Sequence, residues 1–331
     1  MMAAATCPRS PGVKHATARR AYLPRLARVS ESRRGLLYGI AAYGLWGAFP
    51  LYWPLLEPAG AVEILAHRVL WSMVTMGLLV LLLGRWSHLL VLVRGRRTRR
   101  LLSVAALVIA FNWAGFIWGV NNGHVVEVSL GYFINPLVTV LMGVVILRER
   151  LRPLQWAALG VASFAVVVLT VDYGRPPWVA LLLAGSFGTY GLAKKQANAG
   201  AVESLAFETA LLAPIAAAYL GWLAWRGDSG FGAHGVGHAL LLMSTGIVTA
   251  LPLICFGAAA TRLPLVTIGL LQYLAPVLQF VTGLLIFHED MTTGGWIGFS
   301  LVWFALAVFT FESIHYRRRQ QIRLAVEASA L

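Results

Sequence analysis

Gly60-Ala61-Val62-Glu63 returns in the second half of the chain as Gly200-Ala201-Val202-Glu203. The same shift, without a gap, lays Pro136 on Pro276, Gly143 on Gly283, Glu149 on Glu289, Trp156 on Trp296 and Phe164-Ala165 on Phe304-Ala305. One such pair carries little weight; a single offset kept from Gly60 to Ala165 marks a duplication. Each copy holds five long apolar runs, at about 35–56, 62–83, 101–120, 125–147 and 154–171, then 177–193, 203–225, 239–260, 264–287 and 293–313. A helix needs about 20 apolar residues to cross the hydrocarbon core, which these runs supply, and lipid demands that backbone groups be paired within the segment. Five crossings is an odd number, so the second copy enters the membrane from the opposite side. The expected fold is an all-α integral membrane protein of ten transmembrane helices arranged as two inverted five-helix repeats, a plan common among secondary transporters. The repeats are expected over 35–172 and 175–315, between basic tails at 1–34 and 316–331, the first of them disordered.

Composition agrees. Of the 331 residues 59% are hydrophobic and 12% charged, against about 45–50% and about 25% in soluble domains. The net charge of +14 does not call for a nucleic-acid partner, because the bases sit in short runs between apolar segments rather than on one water-facing surface. With the N-terminus inside, 24 of the 27 Lys and Arg fall on one side, Arg175 and Arg226 on the other, and Arg68 within a helix. That asymmetry places both termini in the cytoplasm of a multi-pass plasma-membrane protein. It also fits the inversion: Arg148-Glu149-Arg150 faces inward, while its counterpart His288-Glu289-Asp290 has lost its arginines and faces outward. Cys7 and Cys255 are too few and too differently placed for a disulfide framework.

Three stretches are more specific: Glu63-Ile64-Leu65-Ala66-His67-Arg68, Asn121-Asn122-Gly123-His124 followed by Ser129-Leu130-Gly131-Tyr132-Phe133-Ile134-Asn135-Pro136, and Gly269-Leu270-Leu271-Gln272-Tyr273-Leu274-Ala275-Pro276. With the five-plus-five plan and Leu147-Arg148-Glu149-Arg150-Leu151, they resemble the EamA family of the drug/metabolite transporter superfamily, and more narrowly its RarD branch. The resemblance covers about residues 35–315 and implies a permease with a central cavity between its halves.

Candidate site residues come from the polar groups that the apolar runs tolerate. Pro136 and Pro276 occupy equivalent positions near the middle of their segments, where each is expected to break its helix by removing one intrahelical bond and freeing a carbonyl. Tyr132, Asn135 and Thr139 follow an i, i+3, i+7 spacing, as do Gln272, Ala275 and Gln279, so each set shares one helical face. Read functionally, these residues form a substrate-facing wall; read structurally, they are hydrogen-bonding glue between helices. Trp46 and Trp113, deep in their segments, and Asn112 beside the latter are candidate cavity walls. Gly115 and Gly119 form a GxxxG pair suited to close helix packing.

Glu63, His67, Arg68 and Glu208 are ionisable groups within spans, a costly placement that usually means a protein or water environment. Glu63 and His67 are at i, i+4 and in reach of each other. Arg68 and Glu208 correspond by the offset, but their depths differ by about 14 Å in a core of about 30 Å, so no direct pair is expected. Arg68 also fits snorkelling to the interface. His67 is a candidate proton carrier or a packed structural ring.

No Walker A, HExxH, CxxC or paired-carboxylate pattern is present. No cofactor or metal is expected, and catalysis ranks below transport. The expected function is alternating-access movement of a small-molecule substrate, a metabolite or drug-like solute, driven by a coupling ion such as a proton or by exchange. The rivals are an uncoupled channel, an intramembrane lipid-modifying enzyme and a scaffold.

Overall fold

The computed structural model describes residues 33–148, 151–260, 262–263 and 265–329. Glu149 and Arg150, and the tail up to residue 32, lie outside the described residues. Among those described there is no strand. The chain begins with α1 (33–47), a short α2 (Phe49–Tyr52) and a 3₁₀ turn (Trp53–Leu56), followed by α3 (Ala61–Leu82), α4 (Trp86–Arg94), α5 (Arg96–Asn121), α6 (Val125–Leu147) and α7 (Pro153–Asp172). It continues with α8 (Trp178–Ala197), α9 (Ala201–Arg226), α10 (Gly235–Ala260), α11 (Leu265–Leu271), α12 (Leu274–Leu285) and α13 (Thr293–Ser329).

All ten apolar runs are helical. Seven helices, α3, α5, α6, α7, α9, α10 and α13, are long and apolar enough to cross a membrane. The others differ for visible reasons. The run at 35–56 breaks after residue 47, where Pro50 and Pro54 open α2 and the 3₁₀ turn. α8 carries Lys194 and Lys195, and α12 spans 12 residues. The arginine-rich stretch 84–100, expected as a loop, holds α4 and the start of α5: Trp86, Leu89, Leu90 and Val93 recur at helical spacing over nine residues, too few to span. α13 continues well past the apolar run into the basic tail.

Local chemistry sets the helix ends. α3 and α9 both start after an extended glycine, Gly60 and Gly200. Arg152, Pro153 and Gln155 form a capped start for α7, with the Gln155 side chain accepting from the Arg152 N–H at 3.1 Å. Asn198 stops α8 in the left-handed conformation, at φ 47°.

Small residues let the helices approach. A side chain at Gly115 would meet Leu182 at 2.7 Å, and one at Gly119 would meet Val128 at 2.6 Å, so the GxxxG pair seats α5 against α8 and α6. At Gly246 an added Cβ would run into the Trp71 carbonyl, which brings α10 backbone-close to α3. The dominant contacts are α5 and α6 with α8, α3 with α9 and α10, α7 with α13, and α6 with α12.

Candidate functional site

The polar residues singled out by sequence gather into separate groups. At the centre, Arg68 of α3 is buried, 4% exposed. Its Nε donates to the Thr249 hydroxyl of α10 at 3.1 Å. Its guanidinium carbon lies 4.0 Å from the centre of the Trp113 ring, 4.9 Å from Trp53 and 5.7 Å from Phe49. Cation–π attraction of this kind strengthens when water is excluded. Arg68 therefore points inward instead of snorkelling. Beside it, Tyr52 donates to the Leu241 carbonyl and shares a 2.7 Å hydrogen bond with Ser244.

One turn of packing away, Asn112 is buried and donates to the Leu183 carbonyl at 3.1 Å and the Ser186 hydroxyl at 2.9 Å. The Tyr132 hydroxyl donates to Asn112 Oδ1 at 3.3 Å. Tyr132 packs edge-on against Phe116 and Phe187, and Phe116 in turn meets Phe49 and Trp53. An aromatic wall thus runs from Tyr132 to the Arg68 cage.

Gln279 of α12 is buried and donates to the Trp46 carbonyl at 3.1 Å, while its Oε1 has no hydrogen-bond partner. Trp46 packs against Tyr43 and Phe256. Asn135 and Thr139 pair with each other at 3.4 Å along α6. Gln272 sits in the turn between α11 and α12. The two prolines behave differently. α6 runs through Pro136 without interruption, whereas the α11–α12 break precedes Pro276, which lies in the first turn of α12. A proline removes one helical bond, which a long packed helix absorbs; in a first turn no intrahelical donor is needed.

The remaining charges have partners that the sequence did not suggest. Glu208, 1% exposed, accepts from Lys194 Nζ at 2.8 Å and from the Tyr190 hydroxyl at 3.2 Å. Lys194 also donates to Ser204. Glu63 accepts from the Gly230 N–H at 2.7 Å rather than from His67. His67 is buried, with both ring nitrogens unbonded, and stacks on Phe231 at 5.0 Å.

A cavity of about 390 Å³ opens elsewhere, at the end of the bundle where α5 meets α6, lined by His124, Glu127, Asp172, Arg175, Glu289 and Thr292. Three of its four carboxylates are committed to structure. Glu289 accepts from the N–H groups of Val125 and Val126 and so caps α6. Glu127 pairs with Arg175 at 2.8 Å and accepts from the Val179 N–H at 3.0 Å. Asp172 accepts from Thr292. Burial pushes the nearby Tyr173 phenol up to about 12, the carboxylates of Glu127, Asp172 and Glu289 adding to this and Arg175 opposing it.

Comparison with known proteins follows the same lines. The EamA-like transporter family model matches residues 33–171. "Protein RarD" of Streptomyces exfoliatus is 57% identical over 299 residues, covering 90% of this chain and 95% of that protein. "Uncharacterized transporter YojE" of Bacillus subtilis is 42% identical, covering 87% and 97%. "Chloramphenicol-sensitive protein RarD" of Pseudomonas aeruginosa is 31% identical, covering 88% and 98%. A protein of known crystal structure superposes with a TM-score of 0.53 at 18% identity, over 85% of this chain and 98% of its own, and so shares the fold.

Proposed function

Because the chain belongs to the EamA-like transporter family, in its RarD branch, we propose that this multi-pass membrane transporter is a secondary carrier of small organic solutes working by alternating access in the plasma membrane. The observation that carries the reading is the polar and aromatic cluster at the bundle centre, built from helices of both halves. Arg68, Trp113, Asn112 and Tyr132 come from α3, α5 and α6, and Thr249 and Ser244 from α10; Gln279 of α12 forms a separate buried contact with the Trp46 carbonyl. Polar groups in that position face protein or solute rather than lipid.

Ten crossings in two inverted repeats remain the topology that best accommodates the data. The starts of α3, α6 and α7, at Ala61, Val125 and Pro153, fall by the repeat offset on those of α9, α11 and α13, at Ala201, Leu265 and Thr293. The offset also exchanges the packed pair α3–α10 with α9–α5 and maps α6–α12 and α7–α13 onto themselves. Both termini are then cytoplasmic, and the repeats comprise 35–172 and 175–315. Glu208, linked to Lys194, is the candidate coupling group; Tyr132, Asn112, Gln279 and Trp46 are candidate solute contacts, with Asn135, Thr139 and Gln272 nearer the flanks.

The test is a thermal-shift screen of small solutes on purified protein, followed by counterflow in proteoliposomes. Saturable exchange that Asn112→Leu and Gln279→Leu each weaken, with insertion intact, is expected. Flux that rises linearly with concentration would replace the carrier by a channel, and no flux for any solute would end the reading.

A further inference from the structure

Among the described residues, Arg68 is the one buried lysine or arginine, and no carboxylate balances its charge. No carboxylate among the described residues pairs with it, whereas Arg85, Arg152, Arg175, Lys194 and Arg226 each pair with one. The two carboxylates that the sequence singles out alongside it are committed elsewhere, Glu63 to the Gly230 N–H and Glu208 to Lys194. A guanidinium carries five N–H donors. Here one, on Nε, is used by Thr249. The ring centres of Trp113, Trp53 and Phe49 lie 4.0–5.7 Å from the guanidinium carbon, but the rings offer no oxygen to accept a hydrogen bond from the fork. Neither Nη nitrogen is among the tightly enclosed, unbonded polar atoms of the core, a group that does include both nitrogens of neighbouring His67. The buried donor fork therefore meets no acceptor among the described residues.

We propose that Arg68 is the recognition point for a carboxylate on the transported solute, and that the solute is a monoanion with an apolar, aryl-sized body. The assignment rests on the transporter reading above and narrows its substrate class. A planar two-donor edge matches a carboxylate in two parallel hydrogen bonds, a geometry that lysine does not offer. A second negative charge on the solute would find no further cation in the cage, since Lys194 is held by Glu208. An ammonium group would find no free carboxylate there. The Tyr132–Phe116–Trp53 wall and Trp113 supply the surface for a flat apolar body. Thr249 fixes the guanidinium from the second half of the chain, so occupation of the fork reports directly on how the halves sit against each other.

Equilibrium binding to purified full-length protein in nanodiscs tests this with three matched probes: 3-phenylpropionate, its neutral amide 3-phenylpropionamide, and phenylalanine. The carboxylate is expected to bind at least about tenfold more tightly than the amide and than the zwitterion, a factor that corresponds to about 1.4 kcal/mol. Arg68→Gln should remove that preference while amide binding persists, which also reports that the variant is folded. Arg68→Lys should keep part of it. Equal binding of carboxylate and amide, a preference that survives Arg68→Gln, tighter binding of phenylalanine, or no binding of any probe would each overturn the assignment. Saturable counterflow of other solutes would then leave the transporter reading standing, whereas loss of all flux would remove that reading independently.

Discussion

Replacing Lys194 by Met strands the Glu208 carboxylate. Glu208 is 1% exposed, and apart from Lys194 its hydrogen-bond donor is the Tyr190 hydroxyl at 3.2 Å. Removing one partner of a fully buried ion pair costs about 3–5 kcal/mol. Lys194 retains 20% of its side-chain exposure, so some of the attraction is already screened, and about 3 kcal/mol is the figure to expect. The reverse change is milder. Glu208→Gln keeps an acceptor for Tyr190 and leaves an ammonium that still reaches Ser204 and water, a loss of about 1 kcal/mol. At about 2 °C per kcal/mol for a chain of this size, thermal unfolding of the solubilised protein should fall by about 6 °C for Lys194→Met and about 2 °C for Glu208→Gln. The double variant removes both charges and should recover at least half of the larger loss, because two neutral groups need no mutual compensation. Unfolding temperatures that add in the double variant, or a Lys194→Met protein as stable as wild type, would mean that the pair does not interact as drawn.

Other consequences are as direct. Glu208→Gln should flatten the pH dependence of counterflow while saturation with solute is kept; an unchanged profile would remove Glu208 as the coupling group. Gly246→Ala should destabilise by at least about 1–3 kcal/mol, since its Cβ would meet the backbone carbonyl of Trp71 as well as the Thr75 hydroxyl; the thermal midpoint reads it. Glu289→Ala should cost about 1–2 kcal/mol and speed amide exchange at Val125 and Val126, whose N–H groups it leaves unpaired. A topology reporter fused after Leu331 should give a cytoplasmic signal, and a signal from the opposite side would break the ten-span arrangement.

Helix existence was legible because it depends on hydropathy summed over many residues, and such sums survive errors at single positions. The places where reading failed depend on single residues. α11 and α12 read as one run because Gln272 and Tyr273 do not interrupt an apolar average; the later Pro276 marks the restart rather than the break. Lys194 was assigned to a loop because the apolar window closed at residue 193, although α8 runs to Ala197, and that extra turn of helix puts its ammonium on Glu208. The individual cage residues were partly visible: Arg68 and Trp113 stood out, but their association did not. Thr249 is 181 positions from Arg68, and no periodicity within one helix encodes a partner that far away. Phe49 and Trp53 are absent from the candidate walls that the sequence suggests; α2 and the 3₁₀ turn bring them onto Arg68.

The sequence offset pairs positions of the two halves whose chemistry differs. The same first-turn position serves both: Glu63 takes the Gly230 N–H, and its counterpart Glu203 takes Arg85 at 2.9 Å. Farther into the bundle the correspondence ends. Arg68 matches Glu208, Asn112 matches Pro252, Trp113 matches Leu253, Thr249 matches Ile109 and Lys194 matches Pro54. A pair of halves with equal backbones can adopt two mirrored packings of similar energy, which alternating access requires. The difference between those packings, and any response to solute or proton, then has to come from side chains that are not duplicated, because a ligand biases an equilibrium only through contacts that differ between its states. The cage around Arg68 and the Glu208–Lys194 pair are buried charged features of that kind, as are Glu127–Arg175 and Arg152–Glu312. In the proposed carrier, recognition lies on the side of α3 and α5, and the candidate coupling group on the side of α8 and α9.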